Sequence, residues 1–442
     1  MKHFLDWSKY QDAGMGDAYA DIPKHGGDFA KAIAVCINSR QCETQNKLVM
    51  CPSYKVTGNA NLSTGGRVRM LKAALGNDHY EDALSQVDLQ EAMDLCVACK
   101  GCKRECENNV DMPLIKAEYL AQKGHKKGYS LRAKLLANTP KYVSASGWFS
   151  TMIKLRNRNK LLARLMEKTV GIAADVPLPE PVKNNFQDRP LHQENDKPEV
   201  VLFIDTFARY FEPKIVEAAQ DILHITGYRC NLVQAPKGEK PLCCGRTYLA
   251  QGMIDQARTE VKRLCESLLG HVEAGRVIIG LEASCVLGLR DDAKALGLGE
   301  LVEKVAAQTV LFEEFISKEI RAKRFDAEFV SQAGKKTLIH GHCHQKAVGA
   351  MKAMRRVLKL IPDHDFEIIE SGCCGMAGSF GIEAEHVEVA DKMAEAALMP
   401  RLRENPDARV VANGFSCRSQ MRAKKDERAQ HLAIFLRDCM KM

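Results

Sequence analysis

The sequence predicts an α/β protein: an N-terminal all-α region followed by two duplicated α/β lobes. Three observations carry this expectation. The stretch from Cys96 to Cys106, CVACKGCKREC, sits among segments of helical periodicity. From Glu199 onward, short β-rich runs alternate with helical ones, as in layered α/β structures. The triplet Cys-Cys-Gly occurs at 243–245 and again at 373–375, an offset of 130 residues. At 442 residues the chain is long for a single core. Its 45% hydrophobic and 27% charged content is that of a soluble globular protein, with no run of eighteen apolar residues. The opening, MKHFLDWSKYQDAGMGD, has no apolar leader core, so a cytoplasmic location is expected.

Residues 1–35 form a lead-in ending in a predicted helix at DFAKAIAV, and residues 36–171 form the helical, cysteine-bearing domain. Seven of the 17 cysteines fall between Cys36 and Cys106, too clustered for core filler. Cys96, Cys99 and Cys102 are three apart and Cys106 follows four later, the C-x2-C-x2-C-x3-C spacing of an iron–sulfur run, with Glu107 where a proline is usual. A reducing compartment disfavours disulfides. Zinc is the alternative, but its sites usually take cysteines as separated pairs. An earlier run, CINSRQCETQNKLVMCPSY, is a damaged copy: Cys36 and Cys42 match its first and third positions, Ser39 replaces the second, and Cys51, followed by Pro52, comes five residues late. If ligands cross over as in two-cluster ferredoxins, Cys51, Cys96, Cys99 and Cys102 make a complete 4Fe-4S set. Cys36, Cys42 and Cys106 then make an incomplete one, suited to a 3Fe-4S cluster, a 4Fe-4S cluster with an exchangeable ligand, or nothing; Ser39 is a weaker fourth candidate. Segments 70–83, 85–96 (with Asp88 and Glu91 at capping-box spacing) and 112–123 read as helices, so the domain is expected to be a helical ferredoxin-like one.

The net charge of +8 counts cysteines as neutral, and the basic residues follow no nucleic-acid-binding pattern, so no nucleic-acid partner is expected. Residues 146–168 form a basic amphipathic stretch led by Trp148 and Phe149, either a solvated surface helix or a contact with an anionic membrane or a partner. Residues 172–198, with five prolines, read as a linker or extended arm.

The first lobe is placed at 199–325 and the second at 326–442. Predicted strands are EVVLFID, RCNLVQA and RVIIGLE, then KTLIHG, FEIIE and ARVVANG. Functional groups in such lobes gather beyond the carboxyl ends of the strands. In the second lobe Cys343, Cys373, Cys374 and Cys417 converge there, a set suited to a metal cluster; the first offers only Cys243, Cys244 and Cys285, with Asp205 or Thr206 near the place of Cys343, and is read as degenerate. His340, His342 and His344 flank Cys343, and His342 and His344 are the candidates for proton transfer. Cys230, Cys265 and Cys439 lie in strand or helix patterns and are read as core.

Together, CINSRQC, VMCPSY, STGGR, DLCVACKGCKREC, CCGR, HGHCHQKA, SGCCGMAGSFG and GFSCRSQ resemble the iron–sulfur half of FAD-linked oxidases of D-2-hydroxy acids such as D-lactate, glycolate and D-2-hydroxyglutarate. The lobes are also similar to those of the glycolate oxidase iron–sulfur subunit, anaerobic glycerol-3-phosphate dehydrogenase and the heterodisulfide reductase catalytic subunit. The resemblance implies 4Fe-4S clusters, a non-cubane one in the second lobe, and FAD on a partner, because nothing before Cys36 is long enough for a flavin domain. It implies an electron-transfer subunit delivering electrons to a quinone or other carrier, either free in the cytoplasm or peripheral at the inner membrane face. The alternative is a heterodisulfide reductase-like subunit reducing a disulfide or quinone at the second-lobe cluster; a structural zinc module is a weaker third.

Overall fold

A computed structural model describes residues 1–14, 21–44, 49–145, 147–187 and 197–441. The N-terminal region is helical. Its main helices run Gly27–Ala34, Thr64–Gly76, Val87–Asp94 and Met112–Lys127, with short helices at Pro52–Thr57 and Gly101–Glu105. The helix expected from residue 70 starts earlier: Ser63 caps it through the Gly66 amide, and it ends at Gly76 before a separate turn at Tyr80–Ala83. The Asp88/Glu91 capping box does not form, because the helix begins at Val87 with Gln86 as its cap. The lead-in is pinned to this region by Glu118, which is fully buried and accepts the amides of Phe4 and Leu5 and the Trp7 indole N–H.

The basic stretch is two helices, Gly147–Arg158 and Lys160–Val170. Asn159 breaks them and caps the second through the amides of Leu161 and Leu162; Ser146 lies outside the described residues. Of the Pro-rich segment, 188–196 lie outside them as well. The rest packs as an arm: Ala173 N–H bonds Ile382 O at 2.9 Å, Val182 N–H bonds Tyr210 O at 2.9 Å, and Phe186 is buried.

Two four-stranded parallel sheets follow among the described residues. The first holds β1 (Glu199–Phe203), β2 (Arg229–Leu232), β3 (Val277–Gly280) and β4 (Thr309–Leu311); the second holds β5 (Thr337–His340), β6 (Phe366–Ile368), β7 (Arg409–Ala412) and β8 (Ala429–Gln430). Their orders, β2-β1-β3-β4 and β6-β5-β7-β8, are the same topology twice. All six predicted strands form. β4 and β8, which occupy the same place in each sheet, are two or three residues long, too short to leave a periodic signal.

The two lobes are joined by polar and aromatic contacts. Glu282 accepts the Phe415 amide at 2.8 Å, Leu281 O lies 3.1 Å from His431 Nε2, and Phe207 stacks on Phe415 at 4.6 Å. Glu212 also takes both Arg418 and Arg422. Burial opposes its charge, but the two guanidinium groups hold its carboxyl down to about 2. The carboxyl is depressed, so its contribution is present above the unfolded value near 4.5 and is lost only as pH falls toward about 2. Glu212→Gln, which strands the buried Arg418, is therefore expected to lower stability by about 3 kcal/mol. In thermal unfolding the deficit should be the same at pH 6 and pH 8.

Candidate metal centres

The run from Cys96 leaves the helix Val87–Asp94 and turns sharply through two left-handed residues, Ala98 (φ 47°) and Lys100 (φ 61°); Cys51, at φ 55°, is a third. Non-glycine residues in this region cost about 1–2 kcal/mol each and cluster at functional sites. The result is that Cys51, Cys96, Cys99 and Cys102 line one cavity with Thr64, Arg67 and Lys100. Gly101 is required for this: a Cβ there would lie 2.7 Å from Met50 N and 2.8 Å from Met50 Cα. Glu105 fastens the two halves by accepting the amides of Val49 (3.0 Å) and Met50 (2.9 Å).

Two backbone donors that sequence reasoning missed face these sulfurs. At the start of the helix Thr64–Gly76, Thr64 N–H donates to Cys51 Sγ at 2.9 Å and Gly65 N–H to Cys42 Sγ at 3.2 Å. Free amides and the helix dipole there favour thiolate. The STGGR motif was their only signal. Burial pushes the Cys51 thiol up to about 11, with Arg67 and Thr64 opposing. A buried four-thiol cage of this kind fits an iron–sulfur cluster in donor type. Cys36 and Cys106 are half-buried, and Cys106 and Cys42 both act on the Cys36 thiol, which burial pushes up, so the three incomplete-set cysteines are also neighbours. Ser39 is exposed.

In the second lobe, β5 and β7 deliver Cys343 and Cys417 to the first turns of the helices Cys343–Val348 and Phe415–Ala423. Cys343, Cys373, Cys374 and Cys417 are free, buried thiols that adjoin one another. The ligand atoms of His340, Cys374 and Cys417 lie within 4.8 Å of one another. His340 therefore joins the thiols, with its Nδ1 3.0 Å from Ser371 Oγ and its buried Nε2 unpartnered. His342 caps its helix through the His344 amide (3.2 Å), and His344 Nε2 lies 3.1 Å from Ala98 O in the N-terminal cysteine run. Lys346, also missed, is buried and donates to the carbonyls of Ser371 (2.5 Å) and Gly372 (3.3 Å). Burial lowers its pKa, opposed by Cys417, Cys343, Cys373 and Cys374. The cluster of Glu383, Glu385 and His386 has ligand-like spacing too, but Arg132 already pairs with both carboxylates.

In the first lobe Thr206 takes the first helical position that Cys343 occupies in the second, and Asp205 caps the helix as His342 does. Cys244 and Cys285 sulfurs lie 2.9 Å apart, Cys243 adjoins Cys244, and all three thiols are free. Burial pushes Asp205 up to about 7, helped by Glu282. This lobe's firmest contribution is a clamp: Asp291 and Asp292 pair with Lys100, and Asp291 with Lys103, which also meets Asp111 at 2.9 Å. Burial disfavours the Lys100 charge, but Asp292, Asp111 and Asp291 outweigh it and raise its pKa.

The two full thiol sets are neighbours. Cys99, Cys343 and Cys373 share one buried cluster with Val49 and Phe380, and Cys343 acts on the Cys99 thiol, which burial pushes up. Beside them lies a cavity of about 770 Å³ lined by residues of the helical region and both lobes, including Cys96, His342, Cys343 and His344.

Residues 32–110 match the 4Fe-4S dicluster domain. The chain is 24% identical over 358 residues to D-2-hydroxyglutarate dehydrogenase of Escherichia coli (strain K12), covering 78% of this chain and 34% of that protein. It is 24% identical over 457 residues to the Pseudomonas putida protein of the same name, covering 91% of this chain and 43% of that one. It is 23% identical over 313 residues to one of the subunits of anaerobic glycerol-3-phosphate dehydrogenase of E. coli (strain K12), covering 68% of this chain and 75% of that protein. The chain is thus an iron–sulfur protein related to dehydrogenases, with 4Fe-4S as its cofactor class. It spans less than half the length of the D-2-hydroxyglutarate dehydrogenases it matches. These findings support an electron-transfer role. Among the described residues no helix is long and apolar enough to cross a membrane.

Proposed function

We propose that the chain is the iron–sulfur electron-transfer part of a flavin-dependent D-2-hydroxyacid dehydrogenase of lactate, glycolate or 2-hydroxyglutarate type. FAD on a partner, or on another part of a longer protein, takes two electrons from the hydroxy acid. A 4Fe-4S cluster on Cys51, Cys96, Cys99 and Cys102 and a centre on Cys343, Cys373, Cys374 and Cys417 pass them singly to a quinone or other carrier. Cys36, Cys42 and Cys106 hold a labile or three-iron centre, and Cys243, Cys244 and Cys285 none. The observation carrying this reading is the contact between the two full sets, Cys99 beside Cys343 with His344 bonded to Ala98, since electron transfer needs centres close together. The residues' part is to place and tune the centres by ligation, N–H···S bonds and burial.

Redox titration of anaerobically purified protein, followed by EPR, tests the proposal. At least one centre should titrate between the potentials of a bound flavin and a quinone; if every centre lies well below the flavin, the proposal fails. Lys346→Met removes a cation beside the second-lobe thiols. It should lower that centre's midpoint while leaving the first centre unmoved. The second reading, a disulfide reductase centred on Cys343, is favoured by the opening of Cys343 onto the large cavity. Turnover of a disulfide by reduced protein alone would select it.

A further inference from the structure

The cavity of about 770 Å³ is within the roughly 300–1,000 Å³ range of small-molecule sites. It is lined by Cys343, His342 and His344 and by the rings of Phe207, Phe211, Phe415 and Trp148. Five cations also border it, which at first suggests an anionic guest such as a hydroxy acid. Each is already engaged. Lys116 donates to the carbonyls of Asp94 (3.0 Å) and Cys96 (2.6 Å), and Lys123 to Gln90 (3.2 Å). Arg132 is held by Glu383 and Glu385, Arg156 by the carbonyls of Ala173 and Val176, and Arg246 by Asp292. Arg132 and Arg246 are neutralised by carboxylates, Asp94, Asp292 and Glu383 share the lining, and a neutral aromatic guest meets the four rings without disturbing these bonds.

The mouth points to the source of that guest. Trp148 and Met152 line the cavity and are also 62% and 46% exposed, so they form its rim. The same helix pair, Gly147–Arg158 and Lys160–Val170, exposes Leu155, Leu161 and Leu165 to solvent. Arg158, Lys160, Arg164 and Lys168 are exposed on it and make no ion pair among the described residues. Five of the thirteen large apolar side chains exposed among the described residues therefore lie within eighteen positions, beside uncompensated positive charge. Apolar side chains set among basic ones suit the headgroup layer of an anionic bilayer.

We infer that this cavity is the binding site of a neutral, lipophilic quinone, which reaches it over the Trp148–Met152 rim while the basic helix pair rests on an anionic membrane surface. The inference rests on the electron-transfer reading above and names the acceptor and its place. The quinone gains two electrons, one from each of two one-electron oxidations of reduced iron–sulfur centres. It takes two protons from water at the cavity mouth and leaves as quinol.

The chain has two tryptophans, Trp148 at the rim and Trp7, which is 2% exposed, so quenching of tryptophan fluorescence reports on the cavity without any turnover. Decylubiquinone should quench the anaerobically purified protein saturably, whereas glutathione disulfide and D-2-hydroxyglutarate should not. Met152→Glu, an exposed substitution, should weaken decylubiquinone binding at least about tenfold at unchanged iron content. It should also slow reoxidation of dithionite-reduced protein by decylubiquinone but not by ferricyanide. The protein should float with phosphatidylglycerol vesicles and not with phosphatidylcholine ones, and the double variant Leu161→Glu/Leu165→Glu should lose flotation while keeping the quench. Absence of a saturable quench, quenching by the hydrophilic disulfide instead, or indifference to phosphatidylglycerol would each overturn the inference. Centres that never become reduced would instead overturn the electron-transfer reading, and the quench would still decide the cavity's ligand.

Discussion

Replacing Cys96 by alanine is expected to remove about one 4Fe-4S cluster's iron and sulfide from the protein while leaving the second-lobe centre in place. Cys96 lines one cavity with Cys51, Cys99 and Cys102, and the run that carries it is fixed independently by the Lys100 and Lys103 ion pairs and by Gly101 against Met50. The loop should therefore keep its path, so the loss reports ligation rather than unfolding. The second-lobe thiols follow other strands, β5, β6 and β7, and their spectrum should persist. Iron and sulfide analysis with EPR checks this. Unchanged iron content in the variant would remove the assignment of the first centre.

Gly375→Ala is expected to be the most destabilising single-methyl change in the second lobe. Gly375 sits at φ 93°, and an added Cβ would lie 2.1 Å from Ala390 O on the packed helix Val387–Glu395. Left-handed backbone costs about 1–2 kcal/mol for an alanine, and overpacking against backbone about 1–3 more, so a loss of about 2–5 kcal/mol is expected. Because the two preceding residues are Cys373 and Cys374, the shift should also release the second centre. Gly245→Ala, at φ 71° and 2.8 Å from Ala257 O, tests the same position in the first lobe with a milder clash. Thermal unfolding should rank Gly375→Ala below Gly245→Ala, and Gly245→Ala should leave the iron content intact. This comparison also explains the third letter of both CCG triplets: the chain must turn left-handed there to aim its cysteines while a helix packs directly on it.

The duplication was legible because the CCG triplets and six of the eight strands leave strong local signals, and the parallel topology repeats. β4 and β8 were not, being too short for periodicity and held by pairing to β3 and β7. The cysteine sets could be listed from spacing, since thiols at three-residue steps reach a common point on a tight loop. What spacing could not show was the neighbourhood. The amides of Thr64 and Gly65, the buried charge of Lys346 and the clamp of Lys100 by Asp291 and Asp292 all join residues distant in sequence. His340 was one of three histidines around Cys343, and only the packing shows that it, rather than a neighbour, meets Cys374 and Cys417.

In the proposed reading the two full thiol sets hold adjacent iron–sulfur centres. Anaerobic purification followed by iron, sulfide and zinc analysis, with EPR of the dithionite-reduced protein, tests it most directly. Labile sulfide in proportion to iron is expected, with reduced-cluster signals broadened by magnetic coupling between neighbouring centres. A colourless protein containing zinc, without iron or labile sulfide, would contradict it.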